Sequence, residues 1–257
     1  YLRHVAASAR PVLIGPWYSE TGFEFLYQIP WLASWVQRYK VPVERLFVVT
    51  RGGAGQCYGL PCLHTVELYD HVSVTDVRQA ALADFQRQAS LKQQALQPWE
   101  RHVLALVATK LGLRRYHVLH PSLMYAELAP WWGGQWGLTQ LLERASFSAL
   151  AVPPVPLELV LPAKYITVKF YGRATFPQDE QMQGWVETLV DTFLTKHPDV
   201  DIVNLASGID ADDHSDFSFP THPRITSIRH VCTPQNNLAV QAPVIARSSG
   251  FVGTYGG

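Results

Sequence analysis

Pro11-Val-Leu-Ile-Gly15, followed by the loop from Pro16 to Gly22, is the stretch that decides the fold. A short apolar run entered through proline and closed by glycine reads as a strand buried on both faces, the signature of a parallel sheet. Phe23 to Tyr39 then carries apolar residues near helical spacing, and Pro30 inside it predicts a kink or a break. The pattern repeats outward. Leu46-Phe-Val-Val-Thr50 is a second apolar run, closed by Arg51-Gly-Gly-Ala-Gly55, and Tyr116-His-Val-Leu-His120 is a third, stopped by Pro121. Asp76 to Gln94 and Trp99 to Leu111 read as helices. Strands alternating with helices, with glycine or proline at the strand ends, predict an α/β domain with a parallel sheet over residues 1–150.

Residues 151–164, beginning Ala-Val-Pro-Pro-Val-Pro, read as a proline-rich linker, and the alternation restarts after them over 165–257. Strands are expected at 165–170, 201–205, 225–229 and from 251, and helices at 178–197 and 236–247. No repeat of 20–50 residues, heptad or low-complexity tract is present. Two α/β units in tandem would place a cleft between their strand C-termini, where open α/β sheets bind ligands.

The composition narrows the function. Of 257 residues, 47% are hydrophobic and 16% charged, enough for large cores and unlike a disordered chain. Lysine plus arginine and aspartate plus glutamate both total 21, so no global field draws the chain onto nucleic acid. Anion recognition must be local. Cys57, Cys62 and Cys232 are too few and odd in number for a disulfide framework, which points to a reducing compartment. No apolar run approaches the ~20 residues of a spanning helix. Eight tryptophans, several of them clustered at Trp131, Trp132 and Trp136, read first as packing and second as a sugar- or membrane-docking surface.

Five stretches carry residues that can do chemistry. In the loop 15–24, Thr21-x-x-Glu24 has capping-box spacing, which assigns Glu24 to the helix start. Glu20 has no such local duty and is the candidate general base; the competing reading is a solvated loop glutamate. Gly22 suits close approach of a ligand. Arg51 and Gly52 open a glycine-rich turn able to hold an anionic or sugar group, but no Gly-Lys-Ser/Thr follows as in a P-loop. Nearby Cys57-x4-Cys62-x-His64 matches no common zinc spacing and reads as buried thiols. Lys169-Phe-Tyr-Gly-Arg173 pairs two cations suited to a diphosphate, or else forms a surface pair. Phe251-Val-Gly-Thr-Tyr-Gly-Gly257 suits a phosphate cradle built from backbone N–H groups at Gly253, Thr254 and Gly256. Asp210-Ala-Asp212 is formally a D-x-D metal motif, against the commoner reading of a solvated turn, and Asp213 and His214 are candidate ribose or base contacts.

Taken together, the blocks 15–24, Thr50-Arg-Gly-Gly53, His120-Pro-Ser-Leu-Met-Tyr125, Val168-Lys-Phe-Tyr171 and 251–257 resemble a bacterial group of glycosyltransferases with the GT-B fold. The resemblance implies two Rossmann-like domains facing across a cleft, the second binding a nucleotide-sugar and the first binding a glycan or glycoconjugate acceptor. It implies no metal and no further cofactor, Glu20 as leading base with His120 as second choice, and Lys169, Arg173 and the 253–256 turn on the leaving diphosphate. Polysaccharide biosynthesis in the cytoplasm or at the inner face of the membrane is the setting it implies. The second domain then looks truncated, with other domains of a longer chain beyond it. A non-catalytic carbohydrate- or nucleotide-binding module, and a GT-B-like epimerase or hydrolase of nucleotide-sugars, are the alternatives.

Overall fold

A computed structural model describes residues 1–88, 92–172, 176–209, 215–219 and 221–254. The chain divides into two units, Tyr1–Ala151 and Val152–Gly257, each described by itself.

Unit 1 begins with α1 (Leu2–Ala7) and β1 (Val12–Ile14). A continuous helical rod follows: α2 (Thr21–Phe23), a π-helical turn (Glu24–Gln28) and α3 (Ile29–Tyr39). Of the kink or break expected at Pro30, the break is absent, and the irregularity is the π turn just ahead of it. Proline lacks an N–H and its ring crowds the carbonyl four residues back, and the wide π turn directly before it leaves Pro30 in the first turn of α3. Then come β2 (Leu46–Thr50), β3 (His64–Glu67), α4 (Val74–Gln88), α5 (Pro98–Lys110), β4 (His117–Leu119), α6 (Pro121–Trp132) and α7 (Leu138–Leu142). The sheet is wholly parallel in the order β3-β2-β1-β4. Alternation along the strands separates two buried faces. Leu13 and Val49 pack with Val77, Val103, Leu104 and Val107 of α4 and α5, while Val12, Ile14 and Val48 are equally buried on the opposite face.

Unit 2 contains β5 (Tyr165–Lys169), β6 (Tyr171–Gly172), α8 (Glu180–Lys196), β7 (Asp201–Asn204), β8 (Ser215–Asp216), β9 (Ile225–Ser227), α9 (Asn237–Ala246) and β10 (Phe251–Gly253). Its main sheet is also parallel, in the order β10-β5-β7-β9, and β6 and β8 form a small antiparallel pair. Val168, Phe170 and Ile202 face Val186, Val190 and Leu194 of α8. Tyr165, Val203 and Leu205 face Val240 and Val244 of α9. Counting strands by sequence within each unit, both sheets run third, second, first, fourth. This is the mixed α/β, Rossmann-like arrangement of parallel strands.

Candidate functional site

Ligands of such sheets bind beyond the strand C-termini where the strand order reverses. In unit 1 that point lies between β1 and β4, framed by the loop after β1 and the start of α6. Gly15 leaves β1 at φ +114°, and a Cβ there would sit 2.4 Å from the Val49 carbonyl oxygen, so no side chain fits. Trp17 N–H donates to the same carbonyl at 2.9 Å. Trp17, Tyr18 and Ser19 are buried, and the chain turns outward at Glu20, which is half-buried. Glu20 is the N-cap of α2 but its side chain makes no capping bond. Gly22 is exposed with open space around it.

The capping-box reading of Glu24 is corrected. The helix starts one residue earlier than that spacing requires, so Glu24 faces inward and is fully buried. Its Oε1 accepts hydrogen bonds from the Thr50 hydroxyl and, at 3.0 Å, from the Tyr58 hydroxyl. Its Oε2 has no hydrogen-bond partner among the described residues. Burial pushes this carboxyl up to about 7, against the opposing pull of Thr50, Arg51 and Tyr58.

The turn after β2 closes on itself. Gly52 and Gly53 N–H groups donate to the two oxygens of Glu67 at 3.1 and 2.8 Å, and the Arg51 guanidinium donates to the Ser19 carbonyl. Glu67 thus occupies the anion position that the sequence reserved at Arg51 and Gly52 for a ligand. Burial raises its carboxyl to about 7, opposed by the backbone N–H groups of Gly53, Tyr69 and Gly52. The expectation of buried thiols holds for Cys57 but not for Cys62, which is exposed. His64 stacks on Phe47 with ring centroids 4.5 Å apart. Among the described residues, no group of three His, Cys, Asp or Glu side chains can hold a metal ion.

His120 caps α6 and is buried. Its Nδ1 accepts from the Ser122 backbone N–H at 3.2 Å and lies 2.9 Å from Ser122 Oγ. A nitrogen that accepts an N–H carries no proton, so the ring proton is on Nε2, which donates to Glu100 Oε1 at 2.9 Å. Glu100 also accepts from Gln93 Nε2 at 2.8 Å and from the Gln97 backbone N–H. Gln93 in turn binds Pro16 O and the N–H groups of Tyr18 and Ser19, and so fastens the β1 loop to the His120–Glu100 pair. Beside this network, Phe23 packs with Tyr27, Tyr125 and Trp132, and Lys92 Nζ lies 4.6 Å from the Phe23 centroid. Glu24, Glu67, Gln93, Glu100 and Ser122 were not singled out from the sequence as parts of this site. Their partners lie up to tens of residues away, and only the His120-Pro-Ser122 spacing gave a local signal.

In unit 2 the reversal lies between β5 and β10. Lys169 ends β5, half-buried and without an ion pair among the described residues. A Cβ at Gly253 would meet Lys169 O at 2.4 Å, and Thr254 N–H donates to that same oxygen at 3.1 Å. Thr254 Oγ1 accepts from Tyr171 N–H at 2.9 Å. Gly253 therefore serves strand contact, and the Thr254 N–H belongs to β5 where the sequence reading gave it to a phosphate. Arg173, Asp213, His214 and Gly256, with Asp210 and Asp212, lie outside the described residues.

No protein-family model, curated protein or solved structure matches this chain. Chemistry alone bears on its function. The unit 1 edge offers a half-buried carboxylate at Glu20, a histidine held in one tautomer, and an aromatic cluster. Among the described residues, the unit 2 edge offers the Lys169 cation at the end of the first strand.

Proposed function

We propose that the protein transfers a sugar from a nucleotide-activated donor to an acceptor hydroxyl, with the two-domain GT-B arrangement that the resemblance implies. The observation that supports this best is the repeated strand order, with Glu20 on the loop after the first strand of unit 1 and Lys169 at the end of the first strand of unit 2. Glu20 takes the acceptor proton, because it is the carboxylate of that loop left free of capping and salt-bridge duties. His120 is set aside as base for the acceptor hydroxyl, since its Nδ1 faces Ser122 and its Nε2 faces Glu100. Lys169, with Arg173 and Gly256, balances the charge that grows on the leaving diphosphate. The proposed setting is the cytoplasm or the inner membrane face. No helix among the described residues is long and apolar enough to cross a membrane.

Glu20→Gln is expected to abolish transfer and leave nucleotide binding near that of the unmodified protein; unchanged turnover removes Glu20 from the mechanism. Lys169→Ala is expected to weaken nucleotide binding about tenfold or more, the size of a lost charge-assisted contact. Calorimetry showing equal affinity removes the diphosphate role. A second reading, a carbohydrate-binding module without turnover, draws on the Phe23, Tyr27, Tyr125 and Trp132 cluster as a stacking surface. Sugar binding with no turnover of any donor selects it.

A further inference from the structure

We infer that Ser122, His120 and Glu100 form a nucleophilic relay able to cleave small carboxylic esters, independently of sugar transfer. The three groups stand in line: Ser122 Oγ 2.9 Å from His120 Nδ1, and His120 Nε2 2.9 Å from Glu100 Oε1. This is the general logic of an activated hydroxyl, with a base in reach of the nucleophile and a third group orienting the base. The ring nitrogens are used in the reverse of the familiar serine-hydrolase order, but the roles are complete. The Ser122 N–H fixes the lone pair at Nδ1, and Glu100 is positioned to stabilise the imidazolium that forms.

The relay opens on a cavity of about 410 Å³, lined by Ser122 and His120 together with Leu96, Leu123 and Arg101. That volume suits a small molecule. Glu100 is fully buried, so the relay is dry at its base, while Ser122 at its mouth is half-buried. Arg101 is exposed, and its guanidinium has no hydrogen bond or ion pair among the described residues. It supplies the positive charge for the oxyanion. Leu96 and Leu123 give the acyl chain an apolar wall, which selects short-chain esters over charged or bulky ones.

The chemistry balances without a further reagent. Ser122 Oγ attacks the ester carbonyl carbon, its proton passing to His120 Nδ1 as the Oγ–C bond forms. Collapse of the tetrahedral intermediate breaks the bond to the ester oxygen, and the proton moves from His120 to the departing alkoxide, releasing an alcohol. Water then adds to the acyl carbon, losing a proton to His120. The Oγ–C bond breaks and Oγ recovers that proton, leaving a free carboxylic acid.

An alkyl fluorophosphonate tests this directly. The full chain is expected to take up one phosphonyl group, mapped by peptide mass spectrometry to Ser122, and Ser122→Ala to take up none there. Glu100→Gln is expected to slow the labelling about a hundredfold. Labelling that avoids Ser122, or that proceeds at an equal rate in Glu100→Gln, overturns the relay. A second variant guards against a folding defect in Glu100→Gln. In Ser122→Cys the introduced thiol should react with iodoacetamide at pH 6 at least tenfold faster than Cys62, the exposed free cysteine of the same chain. Equal or slower reaction shows that His120 does not activate position 122 and overturns the proposal.

Discussion

Glu24 makes the stability of unit 1 depend on pH, and the direction follows from its burial. In the unfolded chain its carboxyl titrates at the ordinary 4.5, and in the fold at about 7. Between these values the folded state holds the proton more tightly, so stability is fully present below the lower value and is lost as pH rises through the upper one. A shift of that size corresponds to about 3 kcal/mol for an enclosed group. Glu67 acts in the same direction, while His71 and His117, whose protonation burial disfavours, act in the opposite one. Glu24→Gln, neutral at every pH, isolates the effect. Urea unfolding at pH 5 and pH 8 is expected to show a smaller loss of stability on raising the pH in this variant than in the unmodified chain. An identical pH dependence in the two would mean that Glu24 is ionised without penalty. The same residue shows where sequence reading stops. Thr21-x-x-Glu24 has the spacing of a cap, yet spacing does not say which residue starts the helix, and a shift of one position turns a capping side chain into a buried one. The positions of Glu20 and His120 just past strand ends could be read locally, whereas Glu100, which accepts from His120 Nε2, lies twenty residues earlier on α5.

At the scale of elements, apolar runs were legible as strands whether deeply buried, as in β1 and β7, or only part-buried, as in β4, β9 and β10, and a strand without such a run was not. The strands β1, β2, β5 and β7 announce themselves by continuous apolar residues, because parallel strands between two helical layers meet no water. Strand β3 does not: only Val66 of His64-Thr-Val-Glu67 is buried, and the sequence offers no apolar run there. Helix α6 was missed as well, since Pro130 inside it and its aromatic content hide the period. Joins between elements depend on single side chains that no pattern reveals. Arg224, just before β9, donates to the carbonyls of Leu194 and His197 at the end of α8, to that of Val200 in the turn that follows, and to Asp201 at the start of β7. Helix ends leave such carbonyls without partners, and the planar guanidinium fork meets several at once. Arg224→Ala is expected to destabilise unit 2 by about 2–3 kcal/mol, in the range of lost charge-assisted hydrogen bonds. Arg224→Lys should recover less than half, because an ammonium cannot span the same acceptors. Denaturant midpoints for the two variants decide it, and a lysine variant as stable as the original would reduce Arg224 to a simple charge.

On the scale of the whole chain, the sequence carried the alternation of strands and helices, but not the order in which the strands pair. Order is set by which strand edges and helix faces complete one another after the chain has folded back, and no local window contains that. Both units reach the same order, and each encloses its own apolar clusters, with Leu13 and Val49 in one and Val168, Ile202 and Val203 in the other. Leu157 and Val160 of unit 2 are 98% and 83% exposed while Leu159 between them packs in that unit's core, so a cut at Ala151, ahead of this segment, interrupts no strand of either sheet. Unit 1 should therefore fold alone. A fragment of residues 1–151 retains its four strands, the Glu24 and Glu67 carboxyls with their partners, and the relay at Ser122. It is expected to unfold in one cooperative transition and to be more stable at pH 5 than at pH 8, because Glu24 and Glu67 hold their protons more tightly in the fold. Near-ultraviolet dichroism should remain strong, since Trp17 and Trp31 are each 1% exposed and rigidly packed. A broad transition with far-ultraviolet signal kept and near-ultraviolet signal lost would instead show that unit 1 needs the rest of the chain to fix its core.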